Sequence, residues 1–166
     1  IAKKIEYSPA TIYLYFQDKN ELFYALHQEA IIEFSKTFVN VAYEQDPLER
    51  LILLGSEYLK FAIENPELYE LMFLLSAPME TLEIKDNVWE DGRRVFSGLE
   101  MLISDCKNAG HFKDTSISEL SMMIWATVHG LATFQHRRRH CMFEEDERDS
   151  RVAGGLKCLT EILRNY

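Results

Sequence analysis

The sequence has no apolar run long enough to cross a bilayer. Its purest stretch, Leu71 to Leu75, falls far short of the roughly 18 to 20 residues that a spanning helix needs, so no membrane partner is expected. Cysteine is scarce: Cys106, Cys141 and Cys158 are odd in number, widely separated and without a CxxC pair. That pattern argues against a disulfide framework or a zinc knuckle and points to a reducing, cytoplasmic setting. Basic residues are in deficit too, 18 Lys and Arg against 27 Asp and Glu, for a net charge of −9. Such a balance argues against a protein that coats nucleic acid through overall charge, so any DNA contact must be local. Catalytic patterns are missing as well. There is no paired Glu-x-x-His of a di-iron bundle, no His-Glu-x-x-His and no Gly-rich phosphate loop, and neither an enzyme nor a metal or cofactor site is expected.

Only seven Gly and four Pro occur, and the prolines punctuate helices. Ser8-Pro9, Asp46-Pro47 and Asn65-Pro66 each offer an N-cap side chain followed by a residue whose missing N–H costs nothing in a first turn. Asp18 with Glu21, Asp46 with Glu49, and Ser116 with Glu119 read as capping boxes. Apolar residues recur at three and four positions in Leu51, Leu54, Tyr58 and Phe61, and again in Leu68, Leu71, Met72 and Leu75. A wide arc runs through Val88, Val95, Leu99, Leu102 and Cys106, with Trp89, Phe96 and Ile103 beside it, and ends at Gly110 as a C′ residue. Two more stripes follow, Ile117, Leu120, Ile124, Val128 and Leu131, then Val152, Leu156, Leu159, Leu163 and Tyr166. No alternating strand pattern appears. The expected fold is all-α: two short helices, a long one from about Asp18 to Tyr43, and five more.

The first 26 residues carry the functional signal. Ala2 and Ile5 recur at three, Tyr7-Ser8 breaks the helix, and Ile12 and Phe16 recur at four in a new one. A short helix, a tight turn and a second short helix describe a helix-turn-helix, whose second helix enters the DNA major groove. The string from Ile1 to Phe23, IAKKIEYSPATIYLYFQDKNELF, closely resembles the DNA-binding head of the TetR (tetracycline-repressor-like) family of transcriptional regulators. The resemblance implies a helix and a basic arm upstream of Ile1. It divides the chain into a partial head, residues 1–26, a connecting helix, residues 27–45, and a ligand-sensing and dimerisation body, residues 46–166.

Carried over by position, the resemblance makes Ile12, Phe16 and Leu22 head core. It aims Pro9, Ala10, Thr11 and Tyr13 at bases, with Leu14 on the same probe, and assigns Tyr15 and Lys19 to phosphates with Ser8 as the N-cap near the backbone. The side chains suit those roles: hydroxyls and an ammonium position the protein on phosphates, while small methyls and an aromatic ring touch thymine methyls. Residues 8 to 16 include no Arg, Asn or Gln, so bidentate purine recognition is unavailable there, and preference rests on thymine contacts and DNA shape. Glu6 stands where the family usually has Gly. Lys3, Lys4 and Lys19 are balanced by Glu6, Asp18 and Glu21, so phosphate neutralisation is expected from Lys or Arg upstream of Ile1.

The body is rich in large, adaptable side chains. Tyr58, Phe61, Tyr69, Phe73, Trp89, Phe96, Met122 and Trp125 are the candidates for lining an effector cavity, with His129 as its hydrogen-bonding group. Trp125 to Gly130 resembles a Trp-x-x-x-His-Gly pattern of one branch of TetR sensor domains; ordinary core packing is the alternative for each of these residues. The stripes at 117–131 and 152–166, with Ala153-Gly154-Gly155 allowing close approach, would form a four-helix homodimer interface. Arg137, Arg138 and Arg139 are read as neutralising their helix end and facing the acidic stretch Glu144 to Asp149. The expected function is a repressor, released from a palindromic double-stranded operator by a small apolar or aromatic effector. The alternative is a helical partner-binding adaptor.

Overall fold

The computed structural model describes Thr11, residues 13–84 and residues 89–166. Ser8, Pro9 and Ala10 of the expected groove-facing set, together with Glu6, Ile12 and Val88, lie outside the described residues. From Lys19 onward the described residues form seven α-helices and one 3₁₀ turn: α1 Lys19–Val41, α2 Pro47–Glu64, α3 Pro66–Phe73, α4 Ala77–Ile84, α5 Glu90–Asn108, α6 Ile117–His136, the 3₁₀ turn Arg139–Met142, and α7 Arg148–Asn165. No strand is present among the described residues.

The caps are chemical. Asp18 Oδ1 accepts the Glu21 amide at 2.8 Å and starts α1; Asp46 Oδ1 accepts the Leu48 and Glu49 amides at 2.8 and 3.0 Å and starts α2; Ser116 Oγ accepts the Glu119 amide at 3.5 Å and starts α6. In two of the boxes the acidic residue also bonds elsewhere. Glu21 reaches the amide of Gln17, one residue before the cap, and Glu49 turns away to Arg164 of α7, at 2.7 and 3.0 Å. Asn65 does not cap α3 at all. Its Nδ2 donates back to the Phe61 carbonyl at 3.2 Å, closing the end of α2. The end of α5 is as expected: Gly110 has φ +101°, its amide meets the Lys107 carbonyl and the His111 amide the Cys106 carbonyl, which is a Schellman closure.

Six helices, not five, follow the long one. The extra one is α4, whose first turn contains Pro78, the fourth proline; Ser76 starts it by accepting the Met79 and Glu80 amides through its carbonyl. Its apolar pattern, Met79 and Leu82, is thinner than the Leu68, Leu71 and Met72 of the equally short α3. The expected arc of α5 is also shortened, since the helix begins at Glu90 with Trp89 as its N-cap.

The core is continuous. Helix α1 supplies Ala30, Ile31, Phe34 and Val41, and packs on α2, α3, α4 and α5. Helix α2 is central, touching α1, α3, α5, α6 and α7 through Leu51, Leu54, Tyr58, Leu59 and Phe61. The apolar stripes of α6 and α7 are spent inside the protomer: Leu120, Ile124 and Val128 face α2, α5 and α7, and Val152, Leu159 and Leu163 are buried with them. This corrects the expectation that these stripes form an interface between copies. The opposite faces are open instead, where Met122, Met123, Phe134 and Ile162 are about half exposed and a Cβ at Gly130 or Gly154 would meet nothing. Tyr166, expected on the buried stripe of α7, is 71% exposed.

The arginine run also behaves differently from expectation. Arg137 and His136 both converge on Glu70 of α3, at 2.7 and 2.5 Å, so they fasten α6 to α3 rather than facing the acidic stretch. Arg151 takes up that stretch through Glu147 at 3.2 Å. Arg138 adopts φ +53°, which ends α6 and starts the 3₁₀ turn.

Candidate functional site

Two adjoining hollows open among the aromatic side chains of the helical body. The inner one, about 60 Å³, is walled by Ile31, Phe34 and Phe38 of α1, Leu51, Leu54 and Tyr58 of α2, Trp89, Val95, Phe96 and Leu99 at and within α5, and Ile124, Trp125 and Val128 of α6. The outer one, about 260 Å³, lies among Met72, Phe73, Leu75, Met79, Trp89, Met122, Trp125, Ala126 and His129. Phe73, Trp89 and Trp125 line both, so these three rings form the partition between them. Among the described residues, no Lys, Arg, Asp or Glu lines either hollow.

Among the aromatic candidates, Tyr58, Phe73, Trp89, Phe96 and Trp125 line the inner hollow, while Met122 and His129 join the outer one. Phe61 and Tyr69 line neither. Phe61 packs edge-on against Phe34, at 5.2 Å between ring centroids, and Tyr69 serves as a hydrogen-bonding support. Sequence reasoning missed the α1 wall. Ile31, Phe34 and Phe38 are apolar at helical spacing, which signals a buried face without saying that the face borders a hollow.

One polar device stands against this apolar surface. His129 Nδ1 lies 2.9 Å from the Tyr58 hydroxyl and 3.0 Å from the Tyr69 hydroxyl. Tyr69 also reaches the His129 carbonyl at 3.2 Å and Thr133 Oγ1 at 2.9 Å. Burial holds the His129 ring below its ordinary basicity and both tyrosine hydroxyls above theirs, so the ring is neutral and the hydroxyls keep their protons. A neutral Nδ1 has one lone pair. Tyr58 donates to it and Tyr69 donates to the His129 carbonyl or Thr133, which gives each tyrosine hydroxyl an acceptor and puts the ring proton on Nε2. His129 is thus a fixed N–H donor on the wall of the outer hollow.

In the head, Tyr13, Leu14 and Tyr15 are 60, 81 and 79% exposed, and Thr11 is half-buried, its carbonyl accepting the Leu14 amide at 3.2 Å. Lys19 is exposed at the start of α1, with its ammonium 5.1 Å from the centre of the Phe23 ring. The three cysteines are free; Cys106 is buried, and burial, with Asp105 and Asp46 adding, pushes its thiol up to about 11. No described helix is long and apolar enough to cross a membrane.

Residues 51–154 match the model of the tetracyclin repressor-like C-terminal domain. Among solved structures, the chain is similar to the fatty acid degradation regulator FadR from Bacillus halodurans, with 22% identity and a TM-score of 0.74, over 98% of this chain and 80% of that one. It is similar to a transcriptional regulator of the TetR/AcrR family from Thermobifida fusca YX-ER1, with 21% identity and a TM-score of 0.63, over 96% and 82% of the two chains. A protein of unknown function from Rhodococcus sp. RHA1 aligns at 20% identity with a TM-score of 0.67, over 90% and 76%. At these identities the solved structures establish the fold. No curated protein sequence matches.

Proposed function

The chain belongs to the tetracyclin repressor-like family of DNA-binding transcriptional regulators, and on that premise we propose that it is a homodimeric repressor released from a palindromic operator by a small, largely apolar effector. The observation that carries the proposal is that α1 walls the inner hollow through Ile31, Phe34 and Phe38 and also begins at Lys19, beside the expected DNA probe. A molecule that widens the hollow pushes directly on the helix bearing the head.

The hollows suit such an effector because their surface is aromatic and aliphatic, and His129 offers one oriented donor. Entry to the inner hollow requires the rings of Phe73, Trp89 and Trp125 to part, since 60 Å³ holds no drug-sized molecule as it stands. The ligand shifts the equilibrium only as far as it prefers the widened state. A coupling of about 1 to 3 kcal/mol weakens operator binding about 5- to 150-fold. FadR of Bacillus halodurans, which has a similar fold, is named for fatty acid degradation, in keeping with an apolar effector.

At the head, Thr11 and Tyr13, with Ser8, Pro9, Ala10 and Leu14, form the groove probe, and Tyr15 and Lys19 hold phosphates. The open face of α6 and α7, around Met122, Met123, Phe134 and Ile162, pairs with a second copy and sets two probes about 34 to 36 Å apart.

The test begins with selection of bound DNA from a random pool by the full-length protein. A palindromic consensus is the expected result, with Lys19→Ala and Tyr15→Phe weakening its binding at unchanged helix content. Absence of any enriched DNA would favour a partner-binding adaptor instead. Operator affinity is then measured with apolar and aromatic compounds that raise the melting temperature, and affinity that never changes on their binding defeats the sensing role.

A further inference from the structure

His27 is wholly buried on α1, and neither of its ring nitrogens has a hydrogen-bond partner among the described residues. The indole Nε1 of Trp89 is buried and unpartnered in the same way. The two rings are neighbours, 5.7 Å between centroids and inclined by 52°. Tyr24 stacks on His27 at 6.2 Å, and the Trp89 ring lies so close on Gly92 that a Cβ there would fall 2.3 Å from a ring carbon. Phe at either position would fill apolar space without burying an unpaired N–H.

Burial keeps the His27 ring neutral against smaller upward pulls from Asp91 and from the Met72 backbone, which lies nearby outside hydrogen-bond geometry. A neutral imidazole has one N–H, and an indole has a donor only. The pair therefore holds two buried donors: Trp89 lines both hollows, and His27, which lines neither, stands in ring contact behind it. No described residue lining those hollows is a cation, and Asp91 adds negative potential at His27, which disfavours a carboxylate beside that ring.

We propose that His27 and Trp89 are the anchor for a neutral carbonyl oxygen, such as that of a ketone, ester or amide, on an effector whose apolar remainder fills the inner hollow. This rests on the effector role given above and narrows it to apolar molecules bearing an uncharged acceptor. Because His27 belongs to α1, the polar end of the effector then bonds to the connecting helix itself.

The experiment uses full-length protein labelled with ¹⁵N at the indoles of its two tryptophans. The probes are acetophenone, α-methylstyrene, which replaces the carbonyl oxygen by CH₂ at the same shape, and benzoate. Acetophenone is expected to bind about tenfold more tightly than α-methylstyrene and to move the Trp89 indole N–H downfield, the resonance being identified by its loss in Trp89→Phe. His27→Phe abolishes the preference while α-methylstyrene binding is retained; His27→Gln, which keeps a donor, preserves part of it. Equal binding of the two isosteres, the result if water already bridges the rings, overturns the proposal, as does binding of neither or tighter binding of benzoate. The effector role fails separately, if acetophenone binds with this preference and operator affinity stays the same.

Discussion

Tyr58 Oη lies 2.9 Å from His129 Nδ1, so residues 71 positions apart join α2 to α6 at the wall of the outer hollow. Tyr69 backs the same nitrogen from α3, and Thr133 backs Tyr69. His129→Leu strands the Tyr58 hydroxyl while Tyr69 keeps Thr133. A stability loss of about 1 to 3 kcal/mol is expected in urea titration. Tyr58→Phe leaves Nδ1 supported by Tyr69 and should cost about 1 kcal/mol or less. A double-mutant cycle should show the two changes to be non-additive, and simple additivity would mean that the pair is not coupled.

Acid sensitivity follows from two histidines. Burial holds both His27 and His129 below the ordinary value of 6.5. Below pH 6.5 the unfolded chain binds protons that these folded rings refuse, so their contribution is complete above that pH and is lost as pH falls through the window beneath it. Unfolding free energy should be level near pH 7 to 8 with respect to these groups and decline from 6.5 towards 5, each ring adding at most about 1.4 kcal/mol per pH unit. Urea midpoints of the wild type, His27→Phe and His129→Leu would check this, each variant showing a shallower decline.

Gly92 is the seat of the Trp89 ring. In Gly92→Ala the new Cβ would lie 2.3 to 2.5 Å from three ring carbons, so the indole must leave its place. Overpacking costs about 1 to 3 kcal/mol, offset in part by the higher helix preference of Ala, worth up to about 1 kcal/mol. The net loss should accompany a shift in tryptophan emission and loss of the ketone preference argued above. Unchanged emission would mean that the ring accommodates the methyl without moving.

Ile162 is 52% exposed on α7, on the face shared with the open side of α6. Ile162→Lys should convert a dimer into a monomer with helix content retained, measured by light scattering coupled to size exclusion. Operator affinity should fall with it, because two linked heads bind one palindrome with an effective concentration that a single head lacks. A variant that stays dimeric would move the interface to another face.

Most helices were legible because their signals are local. Caps at Asp18, Asp46 and Ser116 and the stop at Gly110 lie within a few residues of the ends they define, and apolar spacing reports a buried face directly. Pairings across the fold are another matter. Glu49 can answer its own cap or meet Arg164, 115 positions later, and only packing decides. Phe61 and Tyr69 look like cavity residues in sequence because bulk and aromaticity do not distinguish a wall from a support. His27 carried a faint signal, a histidine on the stripe Phe23, Ala30, Ile31, Phe34, but its unpaired state exists only once Trp89 arrives from the other end of the body.

Helix α1 runs for 23 residues, about 34 Å at 1.5 Å per residue. Phe34, where it borders the inner hollow, follows Lys19 by 15 positions, or about 22 Å. A rigid rod pivoting there by about 5° would sweep its tip by about 2 Å. Mirrored in a second subunit, that sums to roughly the 3.4 Å rise between neighbouring bases on a strand. A swelling of the hollow too slight to disturb the core can therefore act at the far end as a misfit of one full step along the duplex.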